Sequence, residues 1–284
     1  MDLPQEYADY IIFANYFFPF SLHLAQELVD YIIDFLRDDP TTLLQVSLVS
    51  RAWVDRTRTH LFKSLSITDS KLSSSNPYYL TQLCKYVKTL HFTWPTNANP
   101  SSILNRFGRS RLHTLAIHFC ELHTLDEQAI RRCFAKFPCT SITSLELNYI
   151  TSTNETFLIL LSLFPNVDDL TISACEWKDE PGANDNHIAR RITPPRLSGS
   201  FKSFDPPTRR YLELNRGKLL RTIAALSPRF HTVSLGIGEQ SREEIGTLLD
   251  SCSKTVKKVF LILPYSKSWP CTPPTFLHVQ YVNA

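Results

Sequence analysis

The chain has 284 residues, 43% hydrophobic and 20% charged, which is enough apolar material for the cores of one or two domains and excludes a disordered chain. Thirty Lys and Arg against 27 Asp and Glu leave a net charge of +3, and the basic pairs (Arg131–Arg132, Arg190–Arg191, Arg209–Arg210, Lys257–Lys258) are scattered, so no basic face for nucleic acid is expected. Seven glycines against 18 prolines argue against a Gly-rich phosphate-binding loop, and seven cysteines without a C-x-x-C pair read as reduced thiols of a cytoplasmic or nuclear protein.

Residues 1–21 form an apolar arm. The run YIIFANYFFPFSL, Tyr10 to Leu22, is too short to cross a bilayer. The flank before it, MDLPQEYAD, is acidic and lacks the basic start of a signal peptide. The arm is expected to pack on the first domain, with no membrane partner.

Residues 22–64 read as three short helices. In LHLAQELVDYIIDFLRDDP, Leu24, Leu28, Ile32 and Leu36 recur every four residues, and Val29 and Ile33 widen the stripe. The helix is expected to stop at RDDP, because the residue before a proline disfavours helical backbone. Asp39 and Pro40 then form a cap and a first helical position. The second helix carries Leu43, Leu44, Val46, Leu48 and Val49 on more than one face and is expected to run into the third at Arg51, which continues to about Phe62. Three short helices bury little, so some of this apolar surface is expected to face outward.

The pattern L-x-x-E-L-x-x-x-I-I-x-x-L, then D-D-P, then S-L-V-S-R-A-W and a basic helix ending in H-L-F, resembles the F-box. It is most similar to the F-box-like proteins common in mushroom-forming fungi. Ala25 stands where that family usually has proline. The resemblance implies docking on the Skp1-type adaptor of an SCF (cullin-RING) ubiquitin ligase. By position it implies adaptor contacts at Leu24, Glu27, Leu28, Ile32, Leu48 and Val49, and an internal core that includes Ile33, Leu36 and Trp53.

From residue 65 to 284 a small unit recurs, apolar-x-x-apolar-x-apolar: FKSLSI, VKTLHF, LHTLAI, ITSLEL, VDDLTI, FHTVSL and VKKVFL. Its middle residues are Leu65, Leu90, Leu115, Leu145, Leu170, Val233 and Val259, so the units lie 25 to 30 residues apart except for one gap of 63. LSGSFKSF, Leu197 to Phe204, sits where the missing copy belongs, and FLHVQY, Phe276 to Tyr281, is read as an atypical last one. This period falls in the leucine-rich-repeat range of roughly 20–29 residues and a little beyond it. The Asn or Cys of that consensus is mostly absent, hence an LRR-like region. Asn76-Pro77, Asn99-Pro100, LDEQAIRRCFAKF, NETFLILLSLF and SREE before IGTLLDSC read as helix starts or helices between strands. Strand and helix alternating predict an α/β solenoid with a parallel sheet. Residues 176–196 read as a long loop, and the Pro-rich run 264–274 as a C-terminal cap.

No nucleophile, metalloprotease or phosphate-binding motif is present, and His113, His118, His123 and Cys120 lack zinc spacing. The chain is therefore expected not to be an enzyme, to bind no cofactor or metal, and to be a monomer outside its complex. The expected role is the substrate receptor of the ligase, with an unknown protein substrate met by outward residues such as His91, His118, Asn148 and Tyr149. Two other readings stay open: an interaction scaffold that does not bind the adaptor, and an enzyme whose site is built from distant residues.

Overall fold

The computed structural model describes residues 25–68, 82–95, 99–178, 195–204, 213–236, 242–262 and 276–279. The apolar arm, Leu24, Asn76-Pro77, Ser241 and the Pro-rich run 264–274 lie outside the described residues. The chain divides into two compact units between Leu65 and Ser66. No helix among the described residues is long and apolar enough to cross a membrane.

Among the described residues the first unit holds three helices, α1 (Gln26–Phe35), α2 (Pro40–Val46) and α3 (Arg51–Leu61). Helix α1 stops earlier than the proline alone requires. Asp39 leaves helical backbone to cap α2, and its carboxylate accepts from the N–H groups of Thr41 and Thr42 at 3.1 and 3.0 Å. The chain therefore turns at Leu36, four residues ahead of Pro40. Helix α2 also ends sooner than expected, at Val46, and does not run into α3. The Ser47 hydroxyl donates to the Leu44 carbonyl at 2.6 Å, and Ser50 caps α3 by accepting from the Ala52 N–H at 3.3 Å. Leu48 and Val49 consequently sit in a turn. Val29, Ile33 and Leu43 are buried together, with Leu36, Val46, Trp53 and Leu61 packed partly buried around them. At roughly 1.5–3 kcal/mol per fully buried aliphatic side chain, this is a thin core.

From Ser64 onward the described residues form a mixed α/β structure around a nine-stranded sheet. The strands are β1 (Ser64–Ile67), β2 (Thr89–Thr93), β3 (Thr114–His118), β4 (Ser144–Asn148), β6 (Asp169–Ser173), β8 (Ser198–Phe204), β9 (Arg229–Gly236), β10 (Lys258–Ile262) and β11 (Phe276–Val279), in that spatial order. Two further short strands, β5 (Thr151–Ser152) and β7 (Glu176–Trp177), pair separately. From β2 to β10 every neighbouring pair is parallel. Parallel neighbours need a crossover, and α4 (Pro100–Leu104), α5 (Glu127–Cys133), α6 (Asn154–Ser162), α7 (Glu213–Ala225) and α8 (Arg242–Ser251) supply five of them. Side-chain caps start three of these: Asn99 for α4, Asp126 for α5, and a reciprocal Thr153–Thr156 box for α6.

The register places like on like. Leu90, Leu115, Leu145, Leu170, Phe201, Val233 and Val259 are successive partners across the sheet. All are buried, so they form one continuous row. The residue three before each, where the unit has its first apolar position, is buried as well at Val87, Leu112, Ile142, Val167, Phe230 and Val256.

Two expectations change. FLHVQY is not a further parallel copy: β11 runs antiparallel to β10, with Val259 opposite Val279. The loop expected over 176–196 begins later, because Glu176 and Trp177 form β7. Trp177 is buried against Phe157 with ring centroids 4.9 Å apart, and its indole N–H donates to Asn154 Oδ1. A two-residue strand has no periodicity to read. Residues 179–194 of that stretch lie outside the described residues.

Gly199, at a register shift in β8, has φ +72°, and a Cβ there would lie 2.5 Å from the Asp168 carbonyl oxygen. Gly246, inside α8, has open space around it. Replacing Gly199 with Ala is expected to cost about 2 kcal/mol. Gly246→Ala is expected to stabilise by roughly 0.5–1 kcal/mol through helix propensity. Urea titrations of the two variants check the opposite signs.

Candidate interaction surfaces

In the first unit α1 is apolar on two faces. Val29 and Ile33 point into the core. Leu28, Tyr31, Ile32 and Phe35, spaced i, i+3, i+4 and i+7, are exposed, with Leu28 at 55% and Phe35 at 81%. Leu44, Leu48 and Val49 are exposed too, Val49 at 63%. Of the residues expected to meet an adaptor, Glu27, Leu28, Ile32, Leu48 and Val49 are thus solvent-exposed, and Leu24 lies outside the described residues. Of those expected inside, Ile33 is buried, and Leu36 and Trp53 are half-buried. Tyr31, Phe35 and Leu44 are additions. Their signal was present in the spacing, but the two stripes of α1 read as one wide stripe until the core showed which half was taken.

A polar tie crosses this unit. Asp34 on α1 accepts from Arg56 Nε at 2.7 Å and from the Arg56 guanidinium Nη2, and His60 Nε2 lies 2.8 Å from the same carboxylate. The Arg56 hydrogen bonds hold the Asp34 carboxyl at a pKa of about 2, below its usual 3.8.

In the second unit the strands alternate buried and outward residues. His91, Ala116, Glu146, Thr171 and Lys202 are register partners on the outward face. Ala116 is fully buried although it points outward, and the rings of its neighbours His91 and His118 stack at 6.0 Å. Burial, then the nearby His91, lower the His118 pKa and favour the neutral ring. Asn148 is the register partner of His118 and is half-buried. Tyr149 follows it at the strand end, exposed by 41%, and stacks on Phe119, exposed by 59%. Of the residues expected to face a substrate, His91, His118 and Asn148 therefore lie on one face of adjacent strands, with Tyr149 at its edge. Phe119 was missed.

Phe119, Tyr149 and Ala174 follow directly on β3, β4 and β6, and all three have positive φ, between 52° and 57°. That conformation costs a bulky residue on the order of 1–3 kcal/mol. It recurs because the chain leaves each strand by the same turn and then pairs again: Glu121 bridges to Thr151, and Thr151 pairs with Glu176.

Thiol chemistry is suppressed at five of the described cysteines. Burial pushes Cys84, Cys139 and Cys252 up to about 11 and raises Cys120 and Cys133 as well, so none is a ready thiolate at neutral pH. No group of three or more metal-ligating side chains converges among the described residues. No family model matches the chain, and comparison with curated proteins returns no relative.

The Asp34 carboxyl has a lowered folded pKa, so its contribution is complete above about pH 4 and is lost as pH falls towards about 2. Both partners are well over a third exposed, which limits the pair to roughly 0.5–1 kcal/mol. Asp34→Asn is expected to speed hydrogen exchange in α1 and α3 at pH 7. The gap from the unsubstituted protein in acid urea titrations should close between about pH 4 and pH 2.

Proposed function

We propose that the protein is the substrate-recognition subunit of an SCF-type cullin-RING ubiquitin ligase. The first unit acts as an F-box-like module that docks on a Skp1-type adaptor, and the second is an LRR-like solenoid that holds a protein target. The observation that carries this is the double face of α1. One stripe is used up by the unit's own core, while Leu28, Tyr31, Ile32 and Phe35 stay exposed together with Leu48 and Val49. A small unit that exposes this much apolar surface has the composition of an interface.

The solenoid reading is supported by the sheet order, which follows chain order, and by the in-register row of unit centres. It is also supported by Leu112-x-x-Leu115-x-Ile117-x-x-Cys120-x-Leu122. Those spacings match the leucine-rich-repeat consensus, and all five named residues are buried. Two repeats later the Cys175 thiol donates to the Leu147 carbonyl at 3.6 Å, filling the capping role that Asn has in such repeats. The mechanism is proximity. A target held on one unit and an adaptor on the other raise the effective concentration of target lysines at the conjugating enzyme, with no reacting group from this chain.

Co-purification with a Skp1-type adaptor tests the reading. Retention of the unsubstituted protein is expected, with at least a tenfold loss in Leu28→Asp and in Val49→Asp at an unchanged melting temperature, since a buried unpaired carboxylate costs several kcal/mol. If the unsubstituted protein is not retained, the chain is a scaffold without adaptor binding; if it is retained and the variants bind as well as it does, the exposed face of Leu28 and Val49 is not the docking face and the reading fails at the observation that carries it.

A further inference from the structure

Phe119 and Tyr149 are two bulky residues held in left-handed backbone at the ends of neighbouring strands. Their N–H groups continue the parallel ladder, donating to the carbonyls of Asn148 and Ser173 at 3.0 Å each. Their rings are thus carried at strand spacing and lie face to face, 4.8 Å apart and 5° from parallel. Trp94 holds the matching position one strand earlier, where its N–H donates to the His118 carbonyl at 2.8 Å. Its ring turns instead against Phe92 and Phe134. The face of Phe119 away from Tyr149 therefore has no ring against it among the described residues. An open face at the end of an exposed stack suits a flat group.

Charge narrows which flat group. The outward positions of β2, β3 and β4 hold no Lys or Arg, and their carboxylate is Glu146. Burial shifts His118, on the same face, towards its neutral form. Glu121, two residues beyond Phe119, is exposed. Among the described residues neither Glu121 nor Glu146 has an ion-pair partner. A basic side chain that is also planar satisfies both features best: ammonium and guanidinium both pair with carboxylates and are both drawn to aromatic faces, as Lys85 is to Tyr86, but only the planar guanidinium also stacks flat on a ring.

We propose that the Phe119–Tyr149 ledge, with Glu121 beside it and Glu146 on the adjoining sheet face, binds a basic, arginine-bearing segment of a protein target. The guanidinium stacks on Phe119 next to Glu121, and Glu146 meets a second basic group of the same segment. This rests on the reading of the second unit as the target-binding part.

The test is a fluorescence-polarisation titration of the full chain with three labelled Gly/Ser peptides, carrying arginines, lysines or neither. Tighter binding of the arginine peptide than of the lysine peptide, by about tenfold, is expected, with affinity falling as salt rises. Phe119→Ser and Glu121→Gln are each expected to weaken it about fivefold to tenfold at an unchanged melting temperature. Equal binding of the arginine and lysine peptides, no binding of either, or full binding by both variants overturns the proposal. Adaptor retention measured on the same preparations separates the two failures. Arginine-selective binding without adaptor retention sinks the ligase reading alone. Adaptor retention without arginine selectivity sinks the ledge alone.

Discussion

The row of buried side chains that runs from Leu90 through Leu115, Leu145, Leu170, Phe201 and Val233 to Val259 sets the register of the larger unit. Side chains alternate along a strand, so a slip of one residue would turn every one of these to the other face. Because the row is held, the residues between its members are held on the outside, and His91, Glu146 and Lys202 fall into line without any contact of their own requiring it. The same register brings the turns after β3, β4 and β6 side by side. Phe119 and Tyr149 meet as a stack for that reason, with Ala174 in the third place.

The smaller unit works under the opposite constraint. Its core rests on Val29, Ile33 and Leu43, and its middle helix is only about two turns long. Polar groups add what the core lacks: Asp39 closes the start of α2, and Asp34 fastens α1 to Arg56 and His60 on α3. These ties use the polar side of α1 and leave the second apolar stripe free. One helix can then contribute to stability through Ile33 and remain available to a partner through Leu28 and Ile32, with little interference between the two.

Much of this was legible in the amino-acid order. The two periods separated helices from strands, Asp39-Pro40 and Asn99-Pro100 marked helix starts, and the spacing of unit centres placed the strands, including the irregular copy at Leu197–Phe204. These features are local: a cap, a proline or an alternation acts within a few residues, so the chain states them directly. Leu28 and Ile33 were likewise readable as members of an apolar helix face.

What the order could not decide depends on neighbours distant along the chain. Nothing local says that the α1 stripe is really two, because that division is made by Leu43 and Trp53 arriving from other helices. Nothing local says that FLHVQY reverses against β10, that Glu176–Trp177 pairs with Thr151–Ser152, or that Phe119 finds Tyr149 thirty residues later. Periodicity determined which residues of this protein are apolar partners for something. Only the tertiary structure, by filling some of those faces and leaving others open, decided which of those partners lie within the described chain.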